Sequence, residues 1–177
     1  MYREILKFWF EEIEERQWWV KDVIFDQLIV ERFSDIHKRA ASCELNIWRE
    51  SSHGRLAEVL VLDQFSRNMF RDTPAAFAYD SLALALAQEA IALKADKLLT
   101  PKQRNFIYMP FMHSESLQIH EVAMQLFSPD GKSEHAFELR HKNIIEQFGR
   151  YPHRNAILNR TSTTAELEFL SEPGSGF

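Results

Sequence analysis

Glycine and cysteine are scarce in this chain: 177 residues contain five glycines, six prolines and one cysteine. Five scattered glycines leave no phosphate-cradling or dinucleotide-binding signature, because those loops need glycine at fixed, short spacing. The lone Cys43 excludes an intramolecular disulfide framework and suits a reducing compartment. Long apolar runs are missing as well. Leu82 to Leu86 is typical of the longest, far below the roughly 20 residues a membrane-spanning helix requires. The first residues, Met1 to Phe8, lack the uninterrupted apolar core of a cleavable signal, so a cytoplasmic location is expected. Basic residues are outnumbered, 21 Lys and Arg against 26 Asp and Glu, giving a net charge of −5. That balance argues against a general nucleic-acid surface, which needs a clustered positive field. No segment alternates apolar and polar residues with period two. An all-α fold is therefore expected, as a single domain spanning residues 1–177.

What is present is helix, punctuated clearly. The apolar spacing of Tyr2 to Ile13 predicts a first helix, and Asp22 is placed to cap a second that reaches Arg39. Ser42 to Ser52 reads as a loop anchored by Trp48. Trp18 and Trp19 sit in the earlier connector, where adjacent tryptophans lock a helix onto its neighbour. A third helix runs from Ser52 to Asn68. Thr73-Pro74 and Thr100-Pro101 are start signals for a fourth, to Lys94, and a fifth, to about Pro110. Ser114-Glu115 opens a sixth, to Phe127, followed by a turn at Ser128 to Gly131. A seventh spans Ser133 to Phe148, where Gly149 is placed to terminate it. Thr163 with Glu166 forms a capping-box pattern for an eighth, ending near Leu170.

Two helix ends echo one another. Asp63-Gln64-Phe65-Ser66-Arg67-Asn68 with Arg71 parallels Glu146-Gln147-Phe148-Gly149-Arg150, followed by Arg154-Asn155 and Arg160. Asp63 and Arg67, like Glu146 and Arg150, stand at i,i+4 as acid-before-base pairs. Decayed repeats of helix pairs are what a helical superhelix leaves in a sequence.

Polar chemistry concentrates at these corners. The candidate site comprises Asp63, Gln64, Arg67, Asn68, Arg71, His113, Glu115, Arg150, His153, Arg154, Asn155 and Arg160. Three readings follow. Arginine forks match carboxylates and phosphates, so the corners suit a small anionic ligand or an acidic peptide. Alternatively, a hydrolase or transferase would use His113 or His153 as general base, with Asp63 or Glu115 orienting the imidazole. Or the same residues brace helix ends and the chain is a structural or oligomeric interaction module. No H-E-x-x-H or other i,i+4 histidine pair occurs among the seven histidines, and neither a metal nor a cofactor is expected. G-x-S-x-G is absent too.

Five stretches carry a family likeness, in order along nearly the whole chain. They are Phe8-Trp9-Phe10, Phe25-Asp26 with Glu31-Arg32-Phe33, Leu62 to Arg71, Tyr108 to Glu115, and Gly149 to Arg160. Together they resemble the bacterial domain-of-unknown-function 924 family. The resemblance implies an all-helical, tetratricopeptide-like superhelix of about eight helices and no assigned activity. The chain departs from the family pattern at Ser66 and Thr164, where proline is usual, and at Asp72, where glycine is usual.

Overall fold

The structure, a computed structural model, describes residues 1–127 and 132–175. Nine α-helices appear among them: α1 (Tyr2–Lys7), α2 (Val23–Ala41), α3 (Ser52–Leu60), α4 (Ser66–Met69), α5 (Asp80–Ala92), α6 (Pro101–Met112), α7 (Leu117–Leu126), α8 (Lys132–Phe148) and α9 (Thr164–Leu170). No strand occurs among the described residues, so the all-α expectation holds. The turn expected at Ser128 to Gly131 lies outside them. No described helix is long and apolar enough to cross a membrane. The chain divides into two compact units, Met1–Arg71 with Ala75–Pro110, and Asp72–Pro74 with Phe111–Phe177.

In the first unit, two helices widen into π-turns. Phe8–Glu12 continues α1, and Val61–Phe65 joins α3 to α4 without a break in helical dihedrals. An i→i+5 turn packs an extra residue into the helix, and such turns recur at functional sites. Here it leaves all five residues from Val61 to Phe65 buried, including the polar Asp63 and Gln64. Phe8 packs against Phe33 and Phe65 with ring centroids 5.0 and 6.1 Å apart, and Trp9 meets Phe65 at 5.5 Å. Edge and tilted aromatic pairs of this kind add roughly 0.5–1.5 kcal/mol beyond their burial. Trp18 locks the connector onto α1, as its indole Nε1 donates to Trp9 O at 3.0 Å.

Caps appear where side chains are free to act locally. Asp22 accepts from the N–H groups of Ile24 and Phe25 at the start of α2. Thr163 and Glu166 form the expected box on α9, and Gly149, at φ +67°, ends α8 with its N–H on Ile145 O. Boundaries moved where tertiary contacts intervene. The fourth expected helix begins at Asp80 rather than Pro74, with Pro74–Phe77 forming a separate 3-10 turn. The fifth runs through Pro110 to Met112, despite the backbone donor that proline lacks. The sixth starts at Leu117 after Ser116. Asp72 has φ +60°, a region glycine enters without steric cost, which would account for the glycine that the family likeness leads one to expect there.

Candidate functional site

In the first unit the corner after α4 is held by acids from other helices. Asp26 on α2 accepts from Arg71 Nε at 2.5 Å and Nη2 at 2.7 Å, and from Asn68 Nδ2 at 2.8 Å. Arg67 forks onto Asp80, donating from Nη1 at 3.0 Å and Nη2 at 3.1 Å. It also reaches Asp63 Oδ1 at 3.1 Å, the expected i,i+4 pair. Gln64 Nε2 donates to Asp63 Oδ2 at 2.6 Å, so this fully buried carboxylate is satisfied from two sides. Neighbouring Ser66 donates its hydroxyl proton to Leu62 O at 2.6 Å. His37 Nε2, 2.8 Å from Ser66 Oγ, must therefore be the donor, and the pair cannot act as nucleophile and base. Burial pushes the His37 imidazole below its ordinary value, keeping it neutral.

In the second unit the polar stretch after Gly149 wraps round Tyr151, which is fully buried. Arg160 is the hub. Its Nη1 and Nη2 donate to Glu115 at 2.6 and 2.9 Å, Nε to Asn155 Oδ1 at 3.0 Å, and Nη2 to Tyr151 O at 3.1 Å. Glu115 also accepts Tyr151 N–H at 2.8 Å. Burial works to raise its carboxyl, but Arg160 and this N–H outweigh it and hold the group below the usual value. Arg154 donates to His113 O at 3.0 Å, and its guanidinium lies 4.6 Å from the Tyr151 ring centroid. Arg150 forks onto Glu166 at 2.6 and 2.7 Å, and these bonds hold Glu166 down to about 2 despite its burial. The echo's other expected pair does not form: Glu146 meets Lys142 instead of Arg150. The left-handed turn at Gly149 takes Arg150 off the α8 face that carries Glu146.

Beneath this belt lies an arrangement the sequence did not flag. His120 Nε2 is 2.8 Å from Ser114 O, a pure acceptor, so Nε2 carries a proton. His120 Nδ1 is 2.6 Å from Glu138 Oε1, and one further proton lies between them. Wherever it sits, the pair is neutral overall. Burial raises the Glu138 carboxyl, against the opposing pull of His120, which favours the proton on oxygen. The Tyr151 hydroxyl donates to Met112 O at 2.5 Å and stands 3.2 Å from His120 Nε2. His141 packs its ring 5.8 Å from that of Tyr151, and burial lowers it to about 3. Acid, imidazole and phenol are in hydrogen-bond reach, as acid–base chemistry needs. Yet His120, Glu138 and Tyr151 are each 0% exposed, so no substrate atom reaches them.

The expected site residues divide between the two units. Asp63, Gln64, Arg67, Asn68 and Arg71 lie in the first unit, and His113, Glu115, Arg150, His153, Arg154, Asn155 and Arg160 in the second. Their acids Asp26, Asp80 and Glu166, missing from the sequence-derived set, are 45, 13 and 16 residues from the arginines they hold. The Thr163–Glu166 capping pattern had singled out Glu166, and the Phe25-Asp26 stretch of the family likeness Asp26, neither as the partner of an arginine. Asp63 and Glu115, expected to orient a catalytic histidine, are both engaged by arginine. His153 stands beside Tyr151 with ring centroids 5.4 Å apart. An open hollow of about 520 Å³ is lined by Gln147, Phe148, Arg150, Thr163, Ala165 and Glu166. No group of three or more His, Cys, Asp or Glu suited to a metal ion occurs among the described residues.

The chain belongs to the bacterial DUF924 family, described as bacterial proteins of unknown function, which it matches over residues 5–174. It is similar to a solved structure of a protein of unknown function, ATU0120, from Agrobacterium tumefaciens. The two are 39% identical, the alignment covers 96% of each chain, and the TM-score is 0.92. No curated protein matches it.

Proposed function

We propose that this chain works as a non-catalytic helical interaction module, in which the arginine corners brace helix ends and the outer surface engages a partner. The observation that carries this reading is the pairing of all five candidate arginines. Arg67, Arg71, Arg150 and Arg160 each hold a carboxylate, and Arg154 holds a carbonyl and an aromatic face. At Arg67, Arg71, Arg150 and Arg160 an incoming anion would have to displace a carboxylate that is already bidentate, gaining little for what it breaks. The only acid–imidazole contact tied to a phenol, Glu138–His120–Tyr151 among the described residues, is sealed, which weighs against a hydrolase or transferase. A reducing cytoplasm suits the exposed free Cys43.

A second reading, a small anionic ligand or an acidic peptide, has one foothold in the hollow beside Arg150 and Thr163. A thermal-shift screen separates the two. Phosphate, sulfate, di- and tricarboxylates and an acidic peptide are compared on wild type, Arg150→Ala and Arg154→Ala. The module reading expects both variants to melt lower and no anion to raise wild type selectively. An anion that stabilises wild type by about 2.7 kcal/mol at a hundred times its Kd, and neither variant, overturns it in favour of a ligand site.

A further inference from the structure

One contact between α7 and α8 requires a proton. His120 on α7 and Glu138 on α8 are both 0% exposed, and His120 Nδ1 stands 2.6 Å from Glu138 Oε1. His120 Nε2 faces Ser114 O at 2.8 Å, which only accepts, so one hydrogen is committed there. Without a second proton between them, Nδ1 and Oε1 would be two facing acceptors. Glu138 Oε2 has no hydrogen-bond partner among the described residues, so no other donor stands in for that proton. Losing it would leave a desolvated carboxylate against a nitrogen lone pair, shut off from solvent.

Proton counting gives the direction of the effect. Folded, the pair holds Nε2–H and the shared proton. Unfolded, an imidazolium gives up its extra proton near pH 6.5 and a glutamic acid near 4.3, so above about pH 7.5 the pair holds little more than one. Folding takes up close to one proton there, and stability falls as pH rises until the folded pair itself ionises. Between the two unfolded values both states hold two protons, and the pair adds no slope. We infer that His120 and Glu138 form a proton-dependent latch, by which alkaline pH parts α7 from α8 and loosens the belt around Tyr151. The latch goes beyond the interaction-module reading and does not rest on it.

Titratable and charged groups face the pair from each neighbouring element. On α8, His141 Nδ1 donates to Phe137 O at 2.8 Å, and burial, lowering this imidazole to about 3, keeps it neutral over the range concerned. His135 Nδ1 is 2.6 Å from Phe127 O, and Lys142 is held by Glu121 and Glu146. The turn after α6 brings His113 and Glu115, the latter paired with Arg160. After α8 stand Tyr151, whose hydroxyl donates to Met112 O, then His153, and Arg154 on the His113 carbonyl. Burial raises the Glu138 carboxyl and outweighs the opposing pull of His120, His135 and Lys142, which is the direction the latch requires.

The test follows amide hydrogen exchange of α7 and α8 in the full chain from about pH 6.5 to 9, each rate divided by the intrinsic exchange rate at that pH. Wild type is expected to lose protection at close to tenfold per pH unit above about pH 7.5, the slope of one proton. In Glu138→Gln the amide N–H takes the place of the shared proton, so protection should vary by less than about twofold over the same range. The variant thereby separates the pair from every other group that titrates nearby. Wild-type protection that does not fall with pH overturns the latch, and so does an equal fall in Glu138→Gln. Should the variant fail to fold, proton and nitrogen NMR of wild type at about pH 8 decides, because the unfolded imidazole is neutral there. A far-downfield proton bridging from His120 Nδ1 is expected, and a folded protein without it overturns the inference.

Discussion

Replacing Arg160 with alanine removes a guanidinium that holds Glu115 twice, Asn155 Oδ1 and Tyr151 O. What stays behind sets the cost. Glu115 retains Tyr151 N–H at 2.8 Å, while Asn155 and the Tyr151 carbonyl each lose this donor. Hydrogen bonds to charged groups contribute about 1.5–3 kcal/mol net, and removing one partner of a buried ion pair costs roughly 3–5 kcal/mol. Side-chain exposures of 23% for Arg160 and 26% for Glu115 let water replace part of what is lost. The expected destabilisation is therefore about 2–3 kcal/mol, below the fully buried figure. For a protein of this size it corresponds to a melting temperature lower by roughly 4–12 °C. Glu115→Gln keeps an oxygen for Tyr151 N–H and should cost less, with a coupling of about 1–2 kcal/mol in the double-mutant cycle. The pair also carries a pH signature. The folded Glu115 carboxyl lies below its unfolded value of about 4.3, so its contribution is complete above that pH and fades as pH falls through the folded value. Arg160→Ala should lose this part of the acid sensitivity. Thermal and urea unfolding at pH 7 and across pH 5 to 2 provide the measurement. A cost under about 0.5 kcal/mol at neutral pH, or an acid profile parallel to wild type, would refute the bracing argument.

Glu138→Gln should be tolerated at about 1 kcal/mol, because the amide N–H can donate to His120 Nδ1 while Nε2–H stays on Ser114 O. Glu138→Ala leaves that nitrogen unsatisfied above a cavity and should cost roughly 3 kcal/mol. Nitrogen NMR of the His120 ring in the glutamine variant should report a neutral Nε2–H tautomer, and a charged ring would contradict the assignment. Gly149→Ala meets no heavy atom within 4 Å, so its cost, about 1 kcal/mol, comes from the backbone at φ +67° alone. Gly54→Ala differs in kind, since its Cβ would stand 2.0 Å from Trp48 O. It should lower soluble yield and cost more than about 3 kcal/mol, well beyond Gly149→Ala in the same thermal melt.

How much was readable along the chain depends on the range of the interaction. Asp22, Thr163 with Glu166, and Gly149 act on backbone groups within three or four residues, and each was legible as a cap or a stop. The Asp63–Arg67 pair was legible for the same reason. Glu146 and Arg150 carried the same pattern and did not pair, because a single left-handed residue separates Arg150 from the helix. Asp26, Asp80 and Glu138 gave no local signal. They are ordinary acids on helices, and their roles exist only once α2, α5 and α8 are packed.

The sequence by itself determined the all-helical class, the main helix ends and the residues in which polar chemistry concentrates. Those depend on propensity, periodicity and capping, which are settled within one or two turns. Tertiary structure alone decided which acid each arginine holds, that His120 shares a sealed proton with Glu138, and that Ile24 faces outward while Phe25 beside it is buried. Hydrogen bonds and burial across tens of residues follow from how helices meet. The order of residues along the chain does not contain that until the core is assembled.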